Sequence, residues 1–123
     1  MNMLDDFYTL NSLQPTTEND YICELTLNAA HPIFKGHFPD KPITPGVCML
    51  QIIKNIVESI TAHKLFLYKT VNVKFMALIN PYENPELTLT LSILPYADGY
   101  QVKSTTSFGD TVALKLTNYY NKV

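Results

Sequence analysis

Arginine is absent from this 123-residue chain: its nine basic residues are all lysines, set against eleven acidic ones, for a net charge of −2. Without arginine or a basic cluster there is no electrostatic footprint for nucleic acid, whose binding rests on neutralising phosphates. No apolar run approaches the ~18 residues that suggest a membrane span. The first ten residues carry Asp5 and Asp6 and no basic start ahead of an apolar stretch, which is not the pattern of a secretory signal. The expected compartment is the cytoplasm. Cysteine is scarce as well. Cys23 and Cys48 lie in apolar surroundings without a paired spacing, and they read as reduced core thiols. The three histidines, His31, His37 and His63, do not fall at a metal-ligand spacing, so neither a metal nor another cofactor is expected. Internal repeats and low-complexity tracts are missing too.

What is present describes a folded protein. Hydrophobic residues make up 46% and charged ones 16%, and the length suits one domain over residues 1–123. A domain of this size has a thin stability margin that dimerisation would widen. The pattern predicts one long helix over residues 45–62, with Thr44 as N-cap and Pro45 at the first helical position. Its apolar residues cover more than one stripe, so the helix is expected to be largely enclosed. Alternation of period two marks strands at Tyr21 to Leu27, Leu87 to Leu94 and Val112 to Thr117. Residues 65–79 read as a further strand, and 81–85 break it from the next. Asp98-Gly99 and Gly109-Asp110 signal turns, and residues 11–20 read as a polar connection. One buried helix with four or five antiparallel strands is an α+β arrangement. The economical packing wraps the sheet around the helix, as in the hot-dog fold, and the pattern alone leaves other helix-on-sheet topologies open.

Chemistry concentrates just before the helix, in HPIFKGHFPDKPITPGVCMLQ from His31 to Gln51. Four prolines and two glycines within sixteen residues make this a stiff, closely specified path. Gly36 permits close approach of the backbone, and His37 follows it. Gly46 lies in the first helical turn, where bare N–H groups and the helix dipole favour a carbonyl oxygen gaining negative charge. A histidine nearby suggests acid/base work on that carbonyl. An equally simple reading has His37 capping the loop without chemistry.

The wording of the loop resembles a known signature. Gly36-His37-Phe38-Pro39, then Pro42, then Pro45-Gly46-Val47 is similar to the motif of the beta-hydroxyacyl-ACP dehydratases of type II fatty acid synthesis. Weaker similarity extends from about Tyr21 to Tyr120 and includes Lys74-Phe75 and Pro81. The resemblance implies a hot-dog dimer with active sites at the subunit interface. It also implies an acyl chain delivered on the phosphopantetheine arm of acyl carrier protein. By position, His37 would remove the α proton of a 3-hydroxyacyl thioester, and the N–H of Gly46 or its neighbour would hold the thioester oxygen. Phe38, Gly36, Pro45 and Val47 would line the substrate site.

The chain departs from that family at Gln51, five residues beyond the motif glycine, where the family carries an acid. Dehydration must protonate a departing hydroxyl, and an amide is no practical proton donor at neutral pH. Glu58 sits seven residues further along, roughly 10 Å up the helix axis, too far to substitute. The N-terminal segment also lacks the family's basic, proline-containing lead. Three readings follow: a dehydratase-like protein for 3-hydroxyacyl thioesters, an impaired subunit completed by a related hot-dog partner, or a hot-dog thioesterase. Gln51 would contact substrate, position a hydrolytic water in the thioesterase reading, or merely satisfy a buried neighbour.

Overall fold

The computed structural model describes residues 6–36 and 43–123. Six strands run β1 (Tyr8–Pro15), β2 (Asp20–Leu27), β3 (Leu65–Phe75), β4 (Glu86–Tyr96), β5 (Gly99–Phe108) and β6 (Thr111–Lys122). A short helix α1 (Ile33–Gly36) and the long helix α2 (Gly46–Thr61) fall between β2 and β3. The strands form one sheet in the order β1-β2-β4-β5-β6-β3, antiparallel throughout. Both ends of the sheet reach the helix: Phe75 at the end of β3 lies against Gly46, and Tyr8 at the start of β1 meets Asn55. The sheet therefore curls around α2, giving the α+β hot-dog arrangement.

The alternating apolar residues supply the core. Cys23 and Leu25 on β2 face Leu89 and Leu87 on β4 in register. The row continues through Thr106 on β5 to Leu114 on β6, and the buried polar residues of these strands are Ser104 and Thr106 on β5 and Thr117 and Asn118 on β6. From α2 come Cys48, Met49, Ile52, Ile53, Ile56 and Val57, all buried. These six fall on one face at i, i+1, i+4, i+5, i+8 and i+9, and of the other helix residues only Val47 and Ser59 are exposed, in keeping with the largely enclosed helix expected from its apolar content. Val47 is 72% exposed, and Leu50 and Ile60 are half-buried.

Other boundaries also move. Pro45, with φ −61° and ψ 142°, is the N-cap of α2 rather than its first helical residue. Thr44 precedes a proline and is thereby held away from helical geometry. It donates its backbone N–H to the Ile79 carbonyl (2.9 Å) and caps nothing with its side chain. Residues 11–15 belong to β1 instead of a polar connection, and β3 stops at Phe75. At the other end of α2, Ala62 adopts the left-handed conformation (φ 59°) and returns its N–H to the Glu58 carbonyl (2.9 Å). The Glu58 carboxylate accepts the Leu65 N–H at 2.8 Å, tying the helix end to the start of β3. The β4–β5 turn is Ala97-Asp98, with the left-handed residue at Ala97 (φ 49°) and Gly99 already in strand. No helix among the described residues is long and apolar enough to cross a membrane.

Cys23 and Cys48 are buried and free, as expected. Burial pushes the Cys23 thiol up from 9.0 to about 11, with the Glu24 charge adding to the effect. The unfolded chain thus sheds this proton well before the folded one does. Stability is fully present below pH 9 and is lost as pH rises toward about 11. Denaturant midpoints should therefore fall between pH 8.5 and 10.5, and by less in a folded Cys23→Ala variant. Equal declines in the two proteins would show that Cys23 is not the group responsible.

Candidate functional site

The N-terminus of α2 sits in a cleft built by three segments. The Pro45 carbonyl accepts both the Cys48 N–H (3.0 Å) and the Met49 N–H (3.3 Å), which winds the first turn tightly. The N–H groups of Gly46 and Val47 are among the first-turn donors that a helix leaves without an intrahelical partner. Opposite them runs the chain beyond β3, held by Met76 and Ala77 N–H groups donating to the Ala113 carbonyl at 2.8 and 3.3 Å. The cleft between them, about 310 Å³, is lined by Ile43, Thr44, Gly46, Val47, Phe75 and Leu78 among others. A second cleft of about 240 Å³ shares Gly46, Val47 and Phe75 with the first and continues past Leu50 and Val73 to Leu114 and Leu116. Gly46 keeps the junction of the two open. A Cβ there would stand 3.1 Å from the Phe75 ring edge, so the ring would have to give by a few tenths of an ångström.

The second cleft is apolar except for Thr70, and that hydroxyl turns away. It donates to Asn118 Oδ1 (2.7 Å), whose Nδ2 donates in turn to the Tyr120 hydroxyl (2.9 Å). Asn118 and Tyr120 are fully buried. Burial pushes the Tyr120 hydroxyl up to about 12 against the opposing hydrogen bond from Asn118, so it stays neutral. The result is a dry groove that leads to a polarised helix end, suited to an acyl chain with a carbonyl at its head.

Gln51 occupies different surroundings. Its Nε2 donates to Asn55 Oδ1 at 2.8 Å, one turn along α2. Asn55 in turn hydrogen-bonds the Tyr8 hydroxyl, whose ionisation is pushed up chiefly by burial and eased by that contact. Gln51 is thus part of an uncharged group of three. At 100° per residue, its side chain projects about 140° around the helix from Gly46 and roughly 7.5 Å along it. One helix therefore presents Gly46 and Gln51 on different flanks.

Of the residues singled out from sequence, Pro45, Gly46 and Val47 come together at the cleft, and Gln51 stands apart from them. Gly36 closes α1. His37 and Phe38 lie outside the described residues. His31 is buried edge-on against Phe7 at 5.2 Å, and its Nδ1 accepts the Ile33 N–H at 3.1 Å. Asn55 and Tyr8 escaped notice in the sequence. The i, i+4 spacing from Gln51 was the available signal for Asn55, and nothing local pointed to Tyr8.

One edge of the sheet is unusual. β3 pairs only with β6, and its outer side and the following segment expose Phe66, Tyr68, Val73, Phe75, Met76 and Leu78. β1, at the opposite edge, is short and largely polar and ends in Pro15. Charged or interrupted edges resist further pairing, whereas a long apolar one invites it.

Comparison with known proteins bears on this site. Residues 13–108 match the family described as ApeI-like, ApeI dehydratase. An uncharacterised thioester dehydrase of Halalkalibacterium halodurans is 30% identical over 97 residues, covering 72% of this chain and 61% of that protein. A 3-hydroxyacyl-[acyl-carrier-protein] dehydratase FabZ of Rickettsia akari is 34% identical over 68 residues, covering 49% and 46%. The matches span about half to three fifths of the length of these relatives. Among solved structures, a chain of the dehydratase heterocomplex ApeI:P from Xenorhabdus doucetiae superimposes with a TM-score of 0.78 at 18% identity, covering 92% of this chain and 96% of that one. A putative thioesterase of Lactococcus lactis gives 0.65 at 13% identity, covering 100% and 98%.

Proposed function

We propose, from the premise that this chain belongs to the ApeI-like dehydratase family, that it binds 3-hydroxyacyl thioesters and takes part in their conversion to 2-enoyl thioesters. The observation that carries this reading is the pair of apolar clefts meeting at Gly46, where the unpaired N–H groups of a helix start face a groove of acyl-chain character. In this reading the thioester oxygen sits against the Gly46 or Val47 N–H, with Pro45 and Phe38 around it. His37, next to Gly36, takes the α proton as enolate character develops on that oxygen. The C3–O bond then breaks, and the departing hydroxide needs a proton to leave as water. The acyl group arrives on the phosphopantetheine arm of acyl carrier protein, as the name of the Rickettsia relative suggests.

The leaving-group proton cannot come from Gln51. With Gly46 and Gln51 on different flanks of α2, a complete site draws its acid from a second chain placed across the exposed β3 edge. A related hot-dog subunit that keeps a carboxylate at the position of Gln51 would supply it, and the Xenorhabdus protein of the same fold is itself a heterocomplex. The site facing Gln51 in such a pair would lack its acid. A homodimer of this chain should be a weak dehydratase. The thioesterase reading is not favoured, because among the described residues none lining the two clefts is a carboxylate that could activate water.

The test is hydration of 2-enoyl thioesters by this chain alone and co-expressed with an acid-bearing relative. The pair should form a stable heterodimer more active than the single chain. His37→Ala in this chain should cost about 10²–10⁴-fold, the range of a lost general base. Purified protein that neither hydrates an enoyl thioester nor binds acyl carrier protein would refute the reading, and release of free thiol would indicate hydrolysis instead.

A further inference from the structure

Resting on the reading above, the geometry points to Asn55 as a positioning residue. We infer that Asn55 holds the Gln51 amide so that its oxygen is offered to ligand, making the Gln51 side of the site a receptor for the 3-hydroxyl group and not a proton donor to it.

The argument starts from the hydrogen-bond inventory of two amides. A glutamine side chain has two N–H donors and one carbonyl acceptor. Gln51 Nε2 donates to Asn55 Oδ1 at 2.8 Å, which commits the nitrogen end of Gln51 toward the next helical turn. Among the described residues nothing donates to Gln51 Oε1. Asn55 turns over only if its neighbours turn with it. Its oxygen is engaged by Gln51, and its nitrogen is the end left for the Tyr8 hydroxyl, the contact that eases Tyr8 ionisation. Flipping Gln51 alone would set two acceptor oxygens against each other, and flipping both amides requires the Tyr8 hydroxyl to change from acceptor to donor. In the structure the relay runs from Gln51 through Asn55 to Tyr8, with a free acceptor at its outer end.

A free acceptor selects for donors. A 3-hydroxyacyl thioester has an O–H at C3 to give, while the 2-enoyl product has none and would leave the half-buried Gln51 oxygen unpaired. The preference should be the size of one neutral hydrogen bond, about three- to tenfold in Kd. No proton changes owner in this contact, so the preference should be flat with pH from 6 to 8. A carboxylic acid at the same position would discriminate in a pH-dependent way.

The test uses the full chain with His37→Ala to suppress turnover. Binding of 3-hydroxyoctanoyl and trans-2-octenoyl N-acetylcysteamine thioesters is measured by calorimetry. The hydroxy ligand should bind about three- to tenfold more tightly. Asn55→Leu, which removes the acceptor for Gln51 Nε2, should bring the ratio toward one. Asn55→Asp, which keeps an acceptor there, should preserve it. If Asn55→Leu does not fold, Asn55→Ala removes the same acceptor at a half-exposed helical position. A ratio unchanged in folded Asn55→Leu or Asn55→Ala overturns the inference. So does tight binding of both thioesters without discrimination, although that result leaves the functional reading standing. Failure to bind either thioester removes both.

Discussion

Replacing Gln51 with glutamate should raise the hydration and dehydration rate of the purified chain by about 10²-fold or more, within the 10²–10⁴ range typical of a gained general acid. That corresponds to about 3–5 kcal/mol of barrier, attributable to protonating the hydroxide that would otherwise have to leave bare. The swap is nearly isosteric, so the helix and its packing should be preserved. The surroundings also favour the acid. The position is half-buried, which resists ionisation. Activity should decline at high pH as the new carboxyl ionises, in contrast to the parent. Enoyl absorbance gives the rate directly, and circular dichroism checks folding. A variant that folds normally and gains nothing would show that a missing acid is not what limits this chain. Combined with His37→Ala, the gain should vanish, because the acid has no role until the α proton is being removed.

The second large effect concerns stability. Gly99→Ala should destabilise the fold by about 3 kcal/mol or more, at the upper end of what overpacking costs. A Cβ on Gly99 would stand 1.9 Å from the Tyr120 carbonyl oxygen and 2.7 Å from its carbon. Those are backbone atoms of β6, the partner of β5, and they cannot step aside as a side chain can. Gly99 pairs with Asn121 in register and also follows the tight β4–β5 turn. The strands would have to separate where Tyr120 and Asn118 hold the buried network beneath the acyl groove. Against a total stability on the order of 5–15 kcal/mol, this is a large fraction. Chemical denaturation of Gly99→Ala beside Gly109→Ala would test it. Gly109 has open space around it and only its φ of +55° to defend, so its loss should be much smaller. Similar midpoints for the two variants would contradict the steric account.

Much of the fold could be read in the sequence because its strands are buried on one face. β2 and β4 alternate without a break and contribute to the core at every second residue, while β6 buries Ala113 and Thr117 as well as Leu114, Leu116, Asn118 and Tyr120. β1 could not be read in the same way. A bulge between Leu10 and Ser12 puts its leucines three apart, and an edge strand needs few inward residues. The apolar excess of the long helix predicts enclosure by other structure. The fully buried residues form one stripe, while Val47 and Leu50 face the cleft near the end of β3 and Asn55 meets Tyr8 on the β1 side. Among site residues, Pro45, Gly46 and Val47 were legible because helix-start chemistry is local. Gln51 was legible as a substitution, yet its orientation was not. That depends on Asn55 one turn away and on Tyr8 from the far edge of the sheet, a contact that only the curl of the sheet brings about.

The unequal edges of the sheet bear on stoichiometry. A strand such as β3, with apolar side chains and unpaired backbone along one side, can join a like strand antiparallel about a two-fold axis. Such a union uses up both sticky edges at once. What remains at either extremity is a β1 strand, polar, short and stopped by Pro15. Continued addition, which would lead to filaments or amyloid-like stacks, has no purchase there. The same arithmetic makes the β3 edge a point of competition. On the pairing proposed above each copy would accept one companion, so the relative abundance of this chain and of an acid-bearing relative would set the number of complete catalytic pairs.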